Sequence, residues 1–456
     1  VPETNKINIL LIGNGAREHA LAWKISQSSL AGRITQWPAK TVQPSHESVN
    51  IPAASASTTE LANFATTQKM DLVIVGPEAP LADGIADKLQ ELGIACFGPT
   101  SFCAKLETSK AVSKKWMEDA GVPTAEFWSF TCRDKAKKQA KEQFAQKGSV
   151  VVKASGLAAG KGVFVCDSEE KIDQAFFELS SRFGDASETI VVEEKLTGRE
   201  SSYFCFVGNK NKKPIVVPLG FAVDFKRLYN HDLGPNTGGM GCYTPVPWLP
   251  KDAQSQVHNK VIDPILLHLS SLGHAYEGFL YVGLMWTAEN QPKVIEFNCR
   301  LGDPEAQAMA ASDQSDWLET IAALQELVET GKEKVQTQSK PVVNVVLTAQ
   351  NYGLAPGQKK ADLPEKPFPN NLGNVHTDGK LDVFFGGVQP NSSGGVVPSG
   401  GRVASLCFSG SDLASSRKGA LDVANHIKSN YWPSVHFRED IGEKAHISLS
   451  DFLKSL

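Results

Sequence analysis

FLYVGLMWTAENQPKVIEFNCRLGDPE, residues 279–305, reads as a strand, a polar turn and a second strand. Residues 279–286 are almost wholly apolar, 288–291 carry the turn, and the return strand runs through Phe297, a hairpin with a four-to-five-residue loop. Side chains alternate along a strand, so Glu296 and Asn298 are expected on one face, with Ile295 and Phe297 on the other. A carboxylate and an amide oxygen at this spacing form a hard-oxygen pair suited to Mg²⁺, which takes few protein ligands and completes its shell with water and phosphate. Arg300 follows on the same alternation, and its planar guanidinium matches a phosphate that such a metal would hold. Taken alone, E-x-N-x-R is equally a strand with a polar rim, so the functional reading depends on what lies upstream.

Upstream, residues 149–165 (SVVVKASGLAAGKGVFV) place two β-rich runs around a loop with Gly156, Gly160 and Gly162, with Lys153 before it and Lys161 within it. Glycines let backbone N–H groups close over phosphates, and a lysine neutralises them. A Walker A loop is excluded, because Gly162 follows Lys161 where Ser or Thr belongs and a strand comes next. Strand–loop–strand over phosphates is instead the arrangement of a flap above a nucleotide, although many Gly-rich hairpins are plain turns. Residues 189–194 form a further strand ending in Glu193 and Glu194, and Glu200 opens another. Asp224-Phe225-Lys226-Arg227 is followed by residues 232–241, DLGPNTGGMG, expected to be a loop because of its glycine density.

At the front, residues 7–12 are a continuous apolar run of the kind found in buried parallel strands, turned by Gly13-Asn14-Gly15 into a helix over 17–26. A dinucleotide fingerprint fails here: Glu18 stands where the third glycine of G-x-G-x-x-G belongs, and its charge would repel a pyrophosphate. A second strand over 71–75, a loop at 76–80 and a helix to residue 92 continue the alternation. Together these units predict an open parallel sheet whose ligands sit at the strand ends. Helices are expected over 110–119 and 133–147, the latter Lys-rich and solvated.

With 456 residues, two to four domains are expected. A formal net charge of −4 gives no reason to expect nucleic acid. Eight scattered cysteines without a CxxC pair indicate neither a zinc site nor a disulfide framework, and suggest a reducing compartment. No run reaches the length of a membrane span, and the polar first residues resemble no targeting peptide, so a cytoplasmic location is expected.

Taken in order, Glu107-Thr108-Ser109-Lys110, VVKASGLAAGKG (151–162), VVEEKLTGRE (191–200), DFKR (224–227), GPNTGGMG (234–241) and EFNCRLGDPE (296–305) resemble an ATP-grasp ligase. IGNGAREHALAW (12–23) and VGPEAPL (75–81) narrow the resemblance to the phosphoribosylamine–glycine ligases, also called glycinamide ribonucleotide synthetases. It runs unbroken from residue 7 to about 305 and continues more weakly beyond. The resemblance implies a mixed α/β and α+β fold in three parts. These are a Rossmann-like pre-ATP-grasp domain (1–105), an ATP-grasp domain (106–335) with a mobile flap at about 124–195, and a small C-terminal α+β domain (336–456). It implies joining of glycine to 5-phosphoribosylamine at the expense of ATP, through glycyl phosphate, in purine synthesis, by a monomer or weak homodimer.

Carried over residue by residue, Lys110 and Lys153 would contact ATP phosphates under the flap residues Gly156, Gly160, Lys161 and Gly162. The backbone from Glu193 through Glu194 to Leu196 would read adenine, and Glu200 would hold the ribose. Glu296 and Asn298 would hold Mg²⁺ or Mn²⁺. Arg300, Asp224, Lys226 and Arg227 would serve catalysis. Gly13, Asn14, Gly15, Arg17, Glu18, Pro77, Glu78, Asp232, Asn236, Thr237, Gly238, Gly239 and Arg402 would frame glycine and phosphoribosylamine.

The chain departs from the family pattern at 36–41, 350–353 and 376–379, all on the acceptor side. A ligase of the same mechanism with a different carboxylate–amine pair is therefore the alternative. A silent ATP-binding module is disfavoured by the retention of Glu296, Asn298, Lys110 and Lys153.

Overall fold

The computed structural model describes residues 6–38, 57–158, 161–211, 213–328, 339–350, 352–353, 366–369, 372, 375, 378–391 and 395–455. The apolar run Ile7–Ile12 is the inner strand of a four-stranded parallel sheet, flanked by Ala31–Trp37 on one side and by Leu72–Val75 then Ala95–Phe97 on the other. Ile9, Leu10 and Leu11 are fully buried, as a parallel strand covered on both faces requires. The helix Ala16–Ile25 leaves this sheet and packs on the helix Glu305–Ser312, which brings the N-terminal strand ends beside the far end of the 279–305 hairpin. Residues 78–80, expected in a loop, already form the first turn of the short helix Glu78–Ala82.

The hairpin itself forms as expected: Gly278–Trp286 pairs antiparallel with Pro292–Asn298. It is one edge of an eight-stranded antiparallel sheet, continuing through Arg199–Lys210, Lys213–Asp224, Gly241–Thr244, Val342–Thr348, Arg402–Ser409 and Lys380–Phe385. This central sheet runs straight across residue 335, because Val342–Thr348 pairs directly with Gly241–Thr244. The helix Leu413–Asn430 covers the strands at 342–348 and 402–409.

A separate antiparallel sheet stands above the central one, ordered Phe127–Phe130, Ile190–Glu194, Val150–Ala154, Val163–Cys166. Alternation sorts its faces. Val150, Val152, Ala154, Ile190 and Val192 join Ile172, Phe176 and Leu179 in a hydrophobic cluster of its own, under the helices Arg133–Lys147 and Glu169–Arg182. Lys153 and Glu193 therefore point the other way, toward the central sheet. A core of its own gives this unit the means to move as a body.

The run 232–241 is not loop throughout. Leu233–Asn236 pairs with Arg227–Tyr229 as a small hairpin turned by Asn230-His231-Asp232, with Gly234 inside the return strand.

Candidate active site

Between the upper sheet, the central sheet and the N-terminal strand ends lies a cleft of about 820 Å³. Its floor is the end of the 292–298 strand. Gly283 stands opposite Glu296 and Tyr281 opposite Asn298, with one extra residue inserted before them where Leu284 pairs with Val294. That bulge makes Ile295 the unpaired residue and locally interrupts the alternation: Ile295 is half-buried and Phe297 buried, and all of residues 295–298 border the cleft. With its amide turned to donate, Asn298 Nδ2 lies 3.0 Å from Glu107 Oε1 and 3.2 Å from the Phe297 carbonyl. Its Oδ1 is then left to accept or ligate.

Glu107, which the sequence reading quoted without assigning, is the organising group of this floor. It accepts the Cys299 N–H at 2.7 Å and pairs with Arg300 Nη2 at 2.8 Å. Burial pushes its carboxyl up, against the pull of Arg300. Arg300 Nε donates to Glu78 Oε2 at 3.1 Å and Nη1 to the Leu301 carbonyl at 3.2 Å. Three of the five guanidinium N–H donors of Arg300 thus have protein partners, and the side chain lines the cleft. Burial alone would raise the Glu78 carboxyl, yet Arg300 and Arg17 outweigh it and hold Glu78 below its ordinary range.

The roof carries the lysines. Lys153 Nζ lies 2.9 Å from Glu193 Oε2, and Lys114, buried and absent from the sequence-based set, lies 3.1 Å from the same oxygen. Lys114 also donates to Thr124 Oγ1 at 2.7 Å. Burial pushes the Lys114 ammonium down to about 8, with Glu193 opposing. Glu193 Oε1 is buried with no hydrogen-bond partner among the described residues. Lys110 opens the helix Lys110–Asp119, capped by the Ser109 hydroxyl, and its Nζ is 3.3 Å from the Gly156 carbonyl. Burial lowers its pKa, while Glu296 across the cleft works to raise it.

Leu157, Ala158 and Gly162 also line the roof; Lys161 is exposed away from the cleft, and Gly160 lies outside the described residues. Glu194 turns instead to Lys293 at 3.2 Å and the Glu126 N–H, and Leu196 is half-buried outside the cleft. Glu200 lines the cleft and pairs with Lys226 at 3.2 Å.

The remaining wall carries residues expected to serve catalysis and to frame the acceptor. Asp224, Lys226, Arg227, Asp232, Asn236, Thr237 and Gly238 all border the cleft, while Gly239 packs behind it against residues 303–304. Arg227 Nη1 donates to the Gly234 carbonyl at 2.7 Å. Arg402, expected to hold substrate, is drawn into Gly238 and Asp303: its Nη1 is 2.6 Å from both carbonyls and its Nη2 is 2.9 Å from Asp303 Oδ2. Glu305, at the start of its helix, is buried in this wall without an ion-pair partner among the described residues, and burial with the nearby Asp224 charge pushes it up to about 8.

At the N-terminal strand ends, Arg17 lines the cleft and donates to the Leu301 carbonyl at 3.1 Å. Glu18 is buried against its own turn. Its Oε2 accepts the Gly15 N–H at 2.7 Å and its Oε1 accepts Arg17 Nε at 2.6 Å. A Cβ at Gly13, whose φ is +113°, would come within 2.6 Å of Glu18 Cγ, so the glycine turn is built around this carboxylate and the crevice is filled. Pro77 packs on Gly13, and Asn14 is exposed. Gln36 Nε2 donates to the Gly13 carbonyl at 2.6 Å. Of the departures from the family pattern, residues 39–41, 351 and 376–377 lie outside the described residues.

The donor set on the floor fits a hard divalent cation: one carboxylate, and one amide oxygen turned outward because its nitrogen is held by Glu107. Among the described residues no group of three or more His, Cys, Asp or Glu gathers as a closed metal cage. A magnesium-type ion shared with phosphates does not need one.

Comparison with known proteins follows the same outline. The profile for the phosphoribosylglycinamide synthetase N domain matches residues 7–107, and that for the phosphoribosylglycinamide synthetase ATP-grasp (A) domain matches 108–306. A phosphoribosylamine–glycine ligase from Yersinia pestis is 40% identical over 449 residues, covering 96% of this chain and 99% of that one. The crystal structure of the Thermotoga maritima phosphoribosylamine–glycine ligase superposes with a TM-score of 0.74 at 25% identity, over 95% of this chain and 100% of that one. The biotin carboxylase domain of a Hydrogenobacter thermophilus 2-oxoglutarate carboxylase, solved with MgADP and bicarbonate, shares the fold at 16% identity, with a TM-score of 0.69 over 99% and 94% of the two chains.

Proposed function

The chain belongs to the phosphoribosylglycinamide synthetase family of ATP-grasp ligases, and on that basis we propose that it joins glycine to 5-phosphoribosylamine, giving glycinamide ribonucleotide, ADP and phosphate. The observation that carries this reading is the convergence of Lys110, Lys153, Glu296 and Asn298 on one cleft roofed by a Gly-rich hairpin. A carboxylate is a poor electrophile at neutral pH. Glycine's carboxylate oxygen attacks the γ-phosphorus of ATP in line, releasing ADP and leaving glycyl phosphate. The amine of phosphoribosylamine then forms the C–N bond, and phosphate leaves. Such phosphoryl transfer needs positioning and charge neutralisation more than covalent help.

Lys110 and Lys153 supply fixed positive charge toward the phosphates. Glu296 and Asn298 would hold a Mg²⁺- or Mn²⁺-type ion, which when bound supplies further neutralisation of the transferred phosphoryl group. Glu107 fixes Asn298, and Arg300, locked between Glu78 and Glu107, ties the N-terminal sheet to this floor as a positioning residue. Asp224, Lys226 and the 227–241 segment form the acceptor side. Ordered roof and walls would keep water from glycyl phosphate. The parts proposed to meet around it are residues 1–105, residues 106–335 with a flap at about 124–195, and residues 336–456, the last two sharing the central sheet.

ADP release assayed with glycine and fresh phosphoribosylamine, then with each omitted, tests this reading. Full release should require both, with glycinamide ribonucleotide formed. ATP–Mg²⁺ binding without that product at saturating substrates would instead favour another carboxylate–amine pair.

A further inference from the structure

The turn that carries the acceptor wall is held in an unfavourable shape. His231 and Asp232 both adopt the left-handed region, with φ of +58° and +55°, although neither is glycine. Adjacent strained residues persist only where their surroundings over-determine them. Here the surroundings are one short segment near the end of the chain. His436 Nε2 donates to the Leu228 carbonyl at 2.9 Å. Arg438, fully buried, donates through Nη1 to the Arg227 carbonyl at 3.1 Å and to Asp232 Oδ1 at 2.8 Å, and its guanidinium lies 4.9 Å over the Phe225 ring. Asp440 receives Arg438 Nε at 2.8 Å and Nη2 at 2.6 Å, and also the His231 N–H at 2.8 Å.

The segment is in turn tied to the central sheet, where His436 and Thr348 exchange backbone hydrogen bonds of 3.0 and 2.8 Å. Farther along the same wall, Tyr352 accepts the Gly238 N–H at 2.9 Å while Arg402 takes the Gly238 carbonyl at 2.6 Å. A buried guanidinium is costly unless every partner is in place, and a plain surface turn would take glycine in place of two strained residues.

We infer that the 436–440 segment, through Arg438 and Asp440, is a clamp that fixes the 227–238 wall and thereby sets recognition of the amine acceptor, leaving ATP handling to the floor and roof. The acceptor's identity rests on the proposed function; the clamp itself does not. Neither Arg438 nor Asp440 touches a reacting atom: both act through the wall.

Three variants test it. Asp440→Ala removes the clamp's anchor. Adding His231→Gly relieves the strain that the anchor holds, since glycine takes the left-handed region freely. Tyr352→Phe loosens Gly238 mildly and serves if Asp440→Ala fails to fold. Asp440→Ala should raise KM for phosphoribosylamine by ~10-fold, with KM for ATP changed by less than about two-fold, and Tyr352→Phe should do the same to a smaller degree. Amide hydrogen exchange over 227–238 should quicken in Asp440→Ala, and His231→Gly in that background should recover part of the lost KM. Equal rises in KM for ATP, glycine and phosphoribosylamine, or unchanged exchange and KM, would overturn the clamp. The exchange measurement needs no substrate. A parent enzyme that forms no glycinamide ribonucleotide would therefore count against the proposed function alone.

Discussion

At the scale of single residues, two carboxylates separate by environment. Glu296 stands on the cleft floor facing Lys110, where its carboxylate oxygens can serve a metal. Glu296→Gln keeps the shape and removes the charge, so kcat should fall by at least ~10²-fold with an unchanged circular dichroism spectrum. Activity within a few-fold of the parent would remove Glu296 from the metal site. Glu305 is the opposite case: burial, then Asp224, push it up to about 8. The folded chain therefore binds a proton at Glu305 that the unfolded chain, with an ordinary carboxyl near 4.5, releases. Stability from this group is greatest below the unfolded value and is lost as pH rises toward 8. Glu305→Gln cannot ionise, so its stability relative to the parent should grow between about pH 5 and 8, by at most a few kcal/mol. Urea unfolding of both proteins at pH 5.5 and 8.5 reads this, and a pH-independent difference would refute it. Glu305 was visible in the sequence but not its protonation, because the sequence does not say that Asp224 lies beside it.

At the scale of elements, the strand–loop–strand at 150–166 was legible from two β-rich runs around three glycines. Its geometry adds a reason for one of them: a Cβ at Gly156 would lie 2.8 Å from Ala186 Cα, backbone that cannot give way easily. Gly156→Ala should therefore weaken the contact between the loop and the 184–187 turn and raise KM for ATP several-fold, while leaving the central sheet intact. Amide exchange over 151–165 should slow when an ATP analogue binds to the parent, as lids commonly order on closure. Equal exchange with and without nucleotide would make this an ordinary hairpin. What the element-level reading missed were interruptions of regular pattern. The bulge at Ile295 cannot be told from a regular strand by composition, and the small ladder at 233–236 hides among glycines because only four residues form it.

At the scale of the whole molecule, the central sheet joins regions that the sequence separates. Val342–Thr348 is buried at every residue, between Gly241–Thr244 and Arg402–Ser409. A chain cut after residue 338 should lose cooperative unfolding and become protease-sensitive, because the 241–244 strand would become an open edge and lose its apolar cover. A soluble fragment with a sharp melting transition would show that the boundary at about 335 is a true one. No helix among the described residues is long and apolar enough to cross a membrane, and the eight cysteines are all unpaired, as their spacing suggested. The sequence by itself determined the strand and helix types, the glycine hairpin and the Glu296–Asn298 pair, because each is written in local periodicity and residue chemistry. Only the tertiary structure decided that Glu107 holds the Asn298 amide, that Lys114 shares Glu193 with Lys153, that Glu18 packs into the Gly13–Gly15 turn, and that Arg300 and Arg402 pair with Glu78, Glu107 and Asp303. Each of those depends on partners tens to hundreds of residues away or on space left by a neighbour, and a charged side chain's role is set by the nearest opposite charge after folding, which the order of residues does not record.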